Sequence, residues 1–361
     1  MGIRSRLGVT AASLALVSMV MAACGSSSHK AATSATGAAP TTAASSKDSA
    51  AWSAIEAAAK KEGKVTWYAV AIDPANIPQM QAAFKAKYPE ISIDIIRGLP
   101  ADTRAKAEAE ATSGKGIADV VSDSSPAWLT KGENKVIKTG LDLPNFKATG
   151  YKADQWLHDN AYYLWTASGI GFAWNTKLDP NGAKTPDDFL NPALKGKVGV
   201  LDPTTNSYFV DYYKHMEDVW GADWVAKVAS QNPKIYASAV PIAQAVASGE
   251  IAATNYASPT VVEGLKKNGA PVDWTLPKGA WLPAEYSAVM QTAPHPNAAM
   301  VLANFLLSPE MQIARGPLFI SVLPNINPSL GYVADFKITN PDETTKDAPA
   351  YQAKWKSLYQ H

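Results

Sequence analysis

The chain has one cysteine, Cys24, in 361 residues. A lone cysteine forms no intrachain disulfide and no cysteine-based metal site, so the folded part must be held by its core alone. An excess of either charge is also lacking: 33 basic residues stand against 32 acidic ones. That balance argues against nucleic acid as a partner. After the first 24 residues no hydrophobic stretch reaches membrane-spanning length. Of the five histidines, His29 and His361 lie at the extremities, and His158, His215 and His295 fall in unrelated segments with no nucleophile at a telling spacing. There is no Gly-x-Ser-x-Gly, His-Glu-x-x-His, phosphate loop or dinucleotide fingerprint. An enzyme is not expected and no cofactor or resident metal is called for; a secreted enzyme and a catalytically silent sensor or adhesin are the lesser alternatives. Turnover of a surface substrate would favour the first, and tight binding to a protein with no solute bound would favour the second.

What is present at the start is a targeting signal. Arg4 and Arg6 precede an apolar run from Leu7 to Met21, which ends in Met21-Ala22-Ala23-Cys24. The basic start, short apolar run and small-residue end have the form of a secretory leader. The last four residues resemble a bacterial lipobox, with Met where Leu is usual. Residues 1–23 are therefore expected to be a signal peptide, and Cys24 a lipid-bearing first residue. Residues 24–50 are mostly Ser, Ala, Thr and Gly and read as a flexible tether. The protein is then exported and anchored on the outer face of the cell membrane. Without the two leader arginines it carries 31 basic and 32 acidic residues.

Beyond the tether, strands and helices alternate. Lys64 to Ala69 is β-branched and aromatic, and Asp73-Pro74 starts a helix through Ile77, Met80, Phe84 and Tyr88 that Pro89 stops. Ile91 to Ile95 alternates as a strand, Asp102 to Ser113 reads as a helix closed by Gly114, and Ala118 to Ser122 as a third strand. Lys131 to Asp159 is irregular. Tyr162 to Trp174 reads as a strand pair broken at Gly169 and Gly171. A second α/β unit begins at Val198 to Leu201, with helices through Tyr208 to Val219 and Val240 to Ser248, a strand at Ile251 to Asn255, and another at Val272 to Leu276. Ser287 to Gln291 and Asn297 to Leu307 read as a return to the first unit. Alternation of this kind implies parallel pairing with helices on the sheet faces, and residues 51–361 exceed the usual single-core size.

Several segments together resemble the bacterial extracellular solute-binding proteins whose relatives bind ferric iron, phosphonates, sugar phosphates and polyamines. They are Gly63 to Tyr68, Phe84 to Pro89, Ala118 to Val121, Phe172 to Thr176, Leu190 to Val198, and Ala293 to Ala299. The resemblance implies an α/β, two-lobe fold of the type II periplasmic-binding kind, each lobe a mixed, mostly parallel sheet flanked by helices. Lobe 1 is expected at 51–168 plus 285–361 and lobe 2 at 169–284, hinged near Thr166 to Gly171 and Pro283 to Ser287. It also implies a monomer that captures a small-molecule ligand in the cleft and delivers it to an ABC permease.

In open sheets, ligands sit beyond the carboxyl ends of parallel strands. That rule singles out Tyr68, Ala69, Arg97, Asp123, Ser124 and Ser125 in lobe 1, and Thr204, Thr205, Asn206, Ser207, Tyr208 and Tyr256 in lobe 2. Trp281 joins them as a flat wall, and Arg97, Asp123 and Glu285 as charges for an acid or an amine. Trp67, Trp165, Trp174, Tyr212 and Tyr213 read as core. The resemblance also offers ferric iron as an alternative cargo. Its iron binders use a histidine, a carboxylate and a tyrosine pair, and the matching positions here are Ile72, Ser124 and Tyr256-Ala257, with Asp123 beside the second. One tyrosine and one carboxylate make a poor cage for a hard trivalent ion. A small polar organic solute, acidic in character, is the expectation.

Overall fold

A computed structural model describes residues 46–70, 72–130 and 136–360. The leader, Cys24 and most of the tether lie outside the described residues. The chain opens with α1 (Ser46–Glu62), β1 (Lys64–Ala69), α2 (Ile77–Lys87), β2 (Ser92–Arg97), α3 (Pro100–Ser113) and β3 (Val120–Asp123). The boundaries follow the local chemistry. Asp73 accepts from the Ala75 amide at the turn before α2, and Gly114 closes α3 in the left-handed conformation. Short pieces follow: α4 (Pro126–Thr130), α5 (Ala153–Trp156) and β4 (Leu157–His158). Then β5 (Tyr162–Ser168) leads directly to β6 (Gly171–Asn175).

The second half of the fold contains β7 (Val198–Leu201), α6 (Tyr208–Trp220), α7 (Trp224–Ala229), β8 (Lys234–Tyr236), α8 (Ala239–Ser248), β9 (Ala253–Ala257), α9 (Pro259–Lys267) and β10 (Val272–Thr275). The chain returns through β11 (Ala284–Val289), α10 (Pro296–Leu306), α11 (Pro309–Ala314), β12 (Phe319–Ser321) and β13 (Gly331–Tyr332), and ends in α12 (Pro341–Thr344) and α13 (Ala348–Tyr359).

Two sheets result. One runs β13-β12-β5-β11-β3-β1-β2, with β4 beside β5; the other runs β10-β6-β9-β7-β8. Parallel pairing joins β1 to β2 and β3, β12 to β13, and β7 to β8 and β9. The strands that cross between sheets run antiparallel to their neighbours. Each sheet is therefore more evenly mixed than the mostly parallel arrangement expected, because a chain that leaves a sheet and comes back re-enters it in the opposite sense. For the same reason β5 and β6 do not pair with each other; they belong to different sheets.

Each sheet carries its own core, and we take each sheet with its core as a lobe. Trp67 and Trp165 meet edge to face in the first, 5.0 Å apart, while Trp174, Tyr212 and Tyr213 are buried in the second. Burying a side chain of this size contributes roughly 2–3 kcal/mol. The last helix departs from the expected lobe boundary. Ala348, Tyr351 and Trp355 of α13 belong to the second core, with Trp355 beside Tyr213 at 5.9 Å. Among the described residues no helix is long and apolar enough to cross a membrane.

Candidate functional site

Two stretches of backbone carry the chain between the sheets and bond to each other. The Ser168 amide donates to the Pro283 carbonyl and the Ile170 amide to the Trp281 carbonyl, both at 3.0 Å. Gly171 lies against β10 so closely that a Cβ there would stand 2.4 Å from the Thr275 carbonyl oxygen. Only glycine fits that approach.

Beside this crossing is a cavity of about 390 Å³. Lobe 1 contributes Ile72, Asp73 and Pro74 beyond β1 and Arg97 at the end of β2. The crossing contributes Ser168 to Ile170, and lobe 2 contributes Ser258 to Val261 at the start of α9. Arg97 is exposed, and its Nε donates to the Ile72 carbonyl at 2.9 Å, which fixes the side chain at the cavity edge. On the other side, Ser258 caps α9 in an extended conformation, with Pro259 as the first helical residue. The Ser258 and Thr260 hydroxyls are 3.0 Å apart. Pro259 has no amide hydrogen and the Val261 and Val262 amides donate to the Ser258 carbonyl, so the Thr260 amide and the helix dipole make that end positive, and a guanidinium and a helix N-terminus border one cavity. Asp73 is the opposing charge.

Behind the cavity wall lies Arg315, 1% exposed, its guanidinium 4.5 Å from the ring centre of Trp165 and 3.8 Å from that of Phe319. Its Nε donates to Thr166 Oγ1 at 3.3 Å. Glu285 sits opposite Thr166 in the β5–β11 register and is 4% exposed. Burial pushes its carboxyl up, against the pull of Arg315, and pushes Arg315 down. The direction for both is set by loss of water.

Most of the strand-end residues named from sequence serve the fold. Tyr68 donates to Glu110 Oε1 at 2.6 Å, and the Ala69 carbonyl accepts from the Gly98 amide. Asp123 is fully buried and clasped by Arg104 through two bonds, Nε to Oδ2 at 2.7 Å and Nη2 to Oδ1 at 2.6 Å, while burial raises its carboxyl. Its charge is spent within the protein rather than offered to an amine. Ser124 is half-buried, and the Ser125 hydroxyl donates to Asp342, which also accepts from the Ala127 amide at 2.5 Å. In lobe 2, Thr204 and Thr205 bond around Asp202, and Asn206 accepts from the Tyr208 amide at 3.0 Å. Ser207 is exposed and makes no side-chain cap bond. Trp281 is 1% exposed, packs against Tyr208 and donates to Asp211 Oδ2 at 2.7 Å. Tyr256 packs on Phe209 and Tyr212 at 5.7 and 4.9 Å, and burial raises its phenol. Of the fourteen residues named, the 390 Å³ cavity takes in Arg97 alone. Sequence reasoning missed Ser258 and Thr260, although a serine before a proline after a strand is a helix-start signature.

The family profile described as "Bacterial extracellular solute-binding protein" matches residues 79–353, and the chain belongs to that family. Solved structures of similar fold include iron-bound HitA from Pseudomonas aeruginosa, at 18% identity and TM-score 0.60, covering 81% of this chain and 99% of that one. AfuA from Actinobacillus pleuropneumoniae, with fructose-6-phosphate bound, gives 18% identity and TM-score 0.56 over 83% and 99% of the two chains. AgtB from A. tumefaciens R10, in complex with agropinic acid, gives 20% and 0.55 over 83% and 99%. A search of curated proteins finds no matching relative.

Proposed function

We propose that this protein is the capture component of an ABC importer, and that its cargo is a small polar organic molecule with an acidic group. One observation carries the reading: Arg97 and the first turn of α9 border a single cavity from opposite lobes. A carboxylate or phosphate seated there meets a guanidinium that can bind in two-pronged fashion, with the Thr260 amide and two hydroxyls across from it. Bonds to a charged group contribute about 1.5–3 kcal/mol each. Three of them reach micromolar affinity, about 8 kcal/mol, only with help from the cavity walls once ordering costs are met. The bound sugar phosphate and agropinic acid of AfuA and AgtB fit the same chemistry.

Calorimetry of residues 46–361 with phosphonates, sugar phosphates, carboxylates, amines and iron–citrate tests it. An acidic compound should bind, and Arg97→Ala should weaken it by about tenfold or more, a loss of about 1.4 kcal/mol. Submicromolar iron binding with a colour abolished by Tyr256→Phe would overturn the acidic-solute reading. Among the described residues no three His, Cys, Asp or Glu side chains gather as a metal site, and the phenol of Tyr256 is buried among rings. Delivery from the membrane surface rests on Cys24: labelled fatty acid should enter the protein in the producing bacterium and be absent from Cys24→Ser.

A further inference from the structure

A second cavity, of about 370 Å³, shares no lining residue with the first. Its walls include Trp156, His158, Tyr162, Tyr286, Phe336 and Thr339, with no lysine or arginine among them. The His158 and Tyr162 rings are stacked, centres 4.8 Å apart and 16° from parallel. Tyr286 stands edge-on to both, at 5.6 and 5.5 Å. Tyr162 is 3% exposed and Tyr286 6%, yet neither hydroxyl bonds to a protein group among the described residues. Both tyrosines line the cavity, and their hydroxyls are open to water rather than sealed in, so each can meet an occupant that enters. Burial first, and then the acidic groups Asp159 and Asp342, raise the Tyr162 phenol; burial, Tyr162 and Asp342 raise that of Tyr286, and burial holds His158 toward its neutral form.

We infer that this cavity binds a small organic cation, a primary or quaternary ammonium group seated against the Tyr162–Tyr286 corner. Aromatic faces attract such cations through their quadrupole, the more so when water is excluded. Phenol oxygens accept from a primary ammonium, and Asp159 and Asp342 supply the field. The same features repel the acidic solute proposed for the first cavity. Thr339, on the rim, donates to Asp211 of α6 at 2.7 Å, so an occupant also touches a segment anchored on lobe 2.

The test is calorimetric titration of residues 46–361 with choline and with its uncharged isostere, tert-butyl in place of trimethylammonium. Choline should bind saturably at millimolar concentration, at least about tenfold more tightly than the isostere. Tyr162→Leu should abolish the heat. Asp159→Asn, at an exposed position that leaves the fold intact, should weaken binding by about threefold. Arg97→Ala should leave it unchanged, which separates this site from the cleft whatever the fate of the acidic-solute reading. Equal binding of the isostere, indifference to Asp159→Asn, loss in Arg97→Ala, or no saturable heat would each overturn the proposal. If Tyr162→Leu does not fold, the isostere ratio and Asp159→Asn decide.

Discussion

β5 serves two cavities of opposite character. Its last residue, Ser168, reaches the one bordered by Arg97 and α9, and its earlier residues Tyr162 and Leu164 line the one walled by rings. The first offers donors: a guanidinium, an amide and two hydroxyls. The second offers acceptors and π faces under a negative field. The difference comes from where each sits on the sheet. Strand ends expose loop backbone and helix N-termini, whereas a sheet face presents side chains, here aromatic ones in cross-strand pairs.

The largest test of that contrast is Asp211→Ala. The buried Asp211 carboxylate accepts from Trp281, Thr339 and Thr344 and so pins the segment that rims the second cavity. Its removal should cost about 3 kcal/mol in urea unfolding, because three donors lose their shared acceptor and the Trp281 indole keeps only Thr339 Oγ1, at 3.2 Å. Choline binding should fall further than binding of the acidic solute; an equal loss of both would erase the distinction between the cavities.

More modest is Glu285→Gln. Glu285 is the buried carboxyl that, once ionised, bears on Tyr286 on one side and Tyr208 on the other. Burial raises its pKa above the ordinary 4.5, so the folded state holds a proton that the unfolded state has released above that value. Stability from this group is full below about 4.5 and declines as pH rises above it. The glutamine variant should therefore gain on the parent in chemical unfolding from pH 5 to pH 8. A constant difference would mean that Glu285 is ionised throughout and paired with Arg315.

The smallest effect is expected at Asn206. It accepts one bond from the Tyr208 amide on an exposed turn, so Asn206→Ala should cost about 0.5 kcal/mol in thermal unfolding. A tenfold loss of acidic solute alongside would move the first site toward the Thr204–Ser207 turn and blur the role given to Arg97.

The alternating units from β1 to β3 were legible to within a few residues, since apolar periodicity, Asp73-Pro74 and Gly114 all act within a few positions. β12 and β13 are three and two residues long and have no period to read. The lobe to which α13 belongs is a matter of which rings Trp355 meets, a contact with Tyr213 more than a hundred positions away in sequence. Arg97 was visible because it ends a strand in the β-α-β series. The aromatic cavity was not, because Trp156 and His158 fall in an irregular stretch whose partners Tyr286 and Phe336 come far later. Tyr68 and Asp123 were placed correctly at strand ends but not in their bonds, since Glu110 and Arg104 approach from α3.

The seat of α13 in the second core has a practical consequence. At the other end of the described chain, α1 packs on α10 in the first lobe. The two helices therefore ride on different lobes, and the tether proposed to be anchored through Cys24 would hold the lobe that carries α1. Donor and acceptor dyes at exposed Lys61 of α1 and exposed Lys356 of α13 would show, one molecule at a time, whether the two lobes move relative to each other when cargo binds.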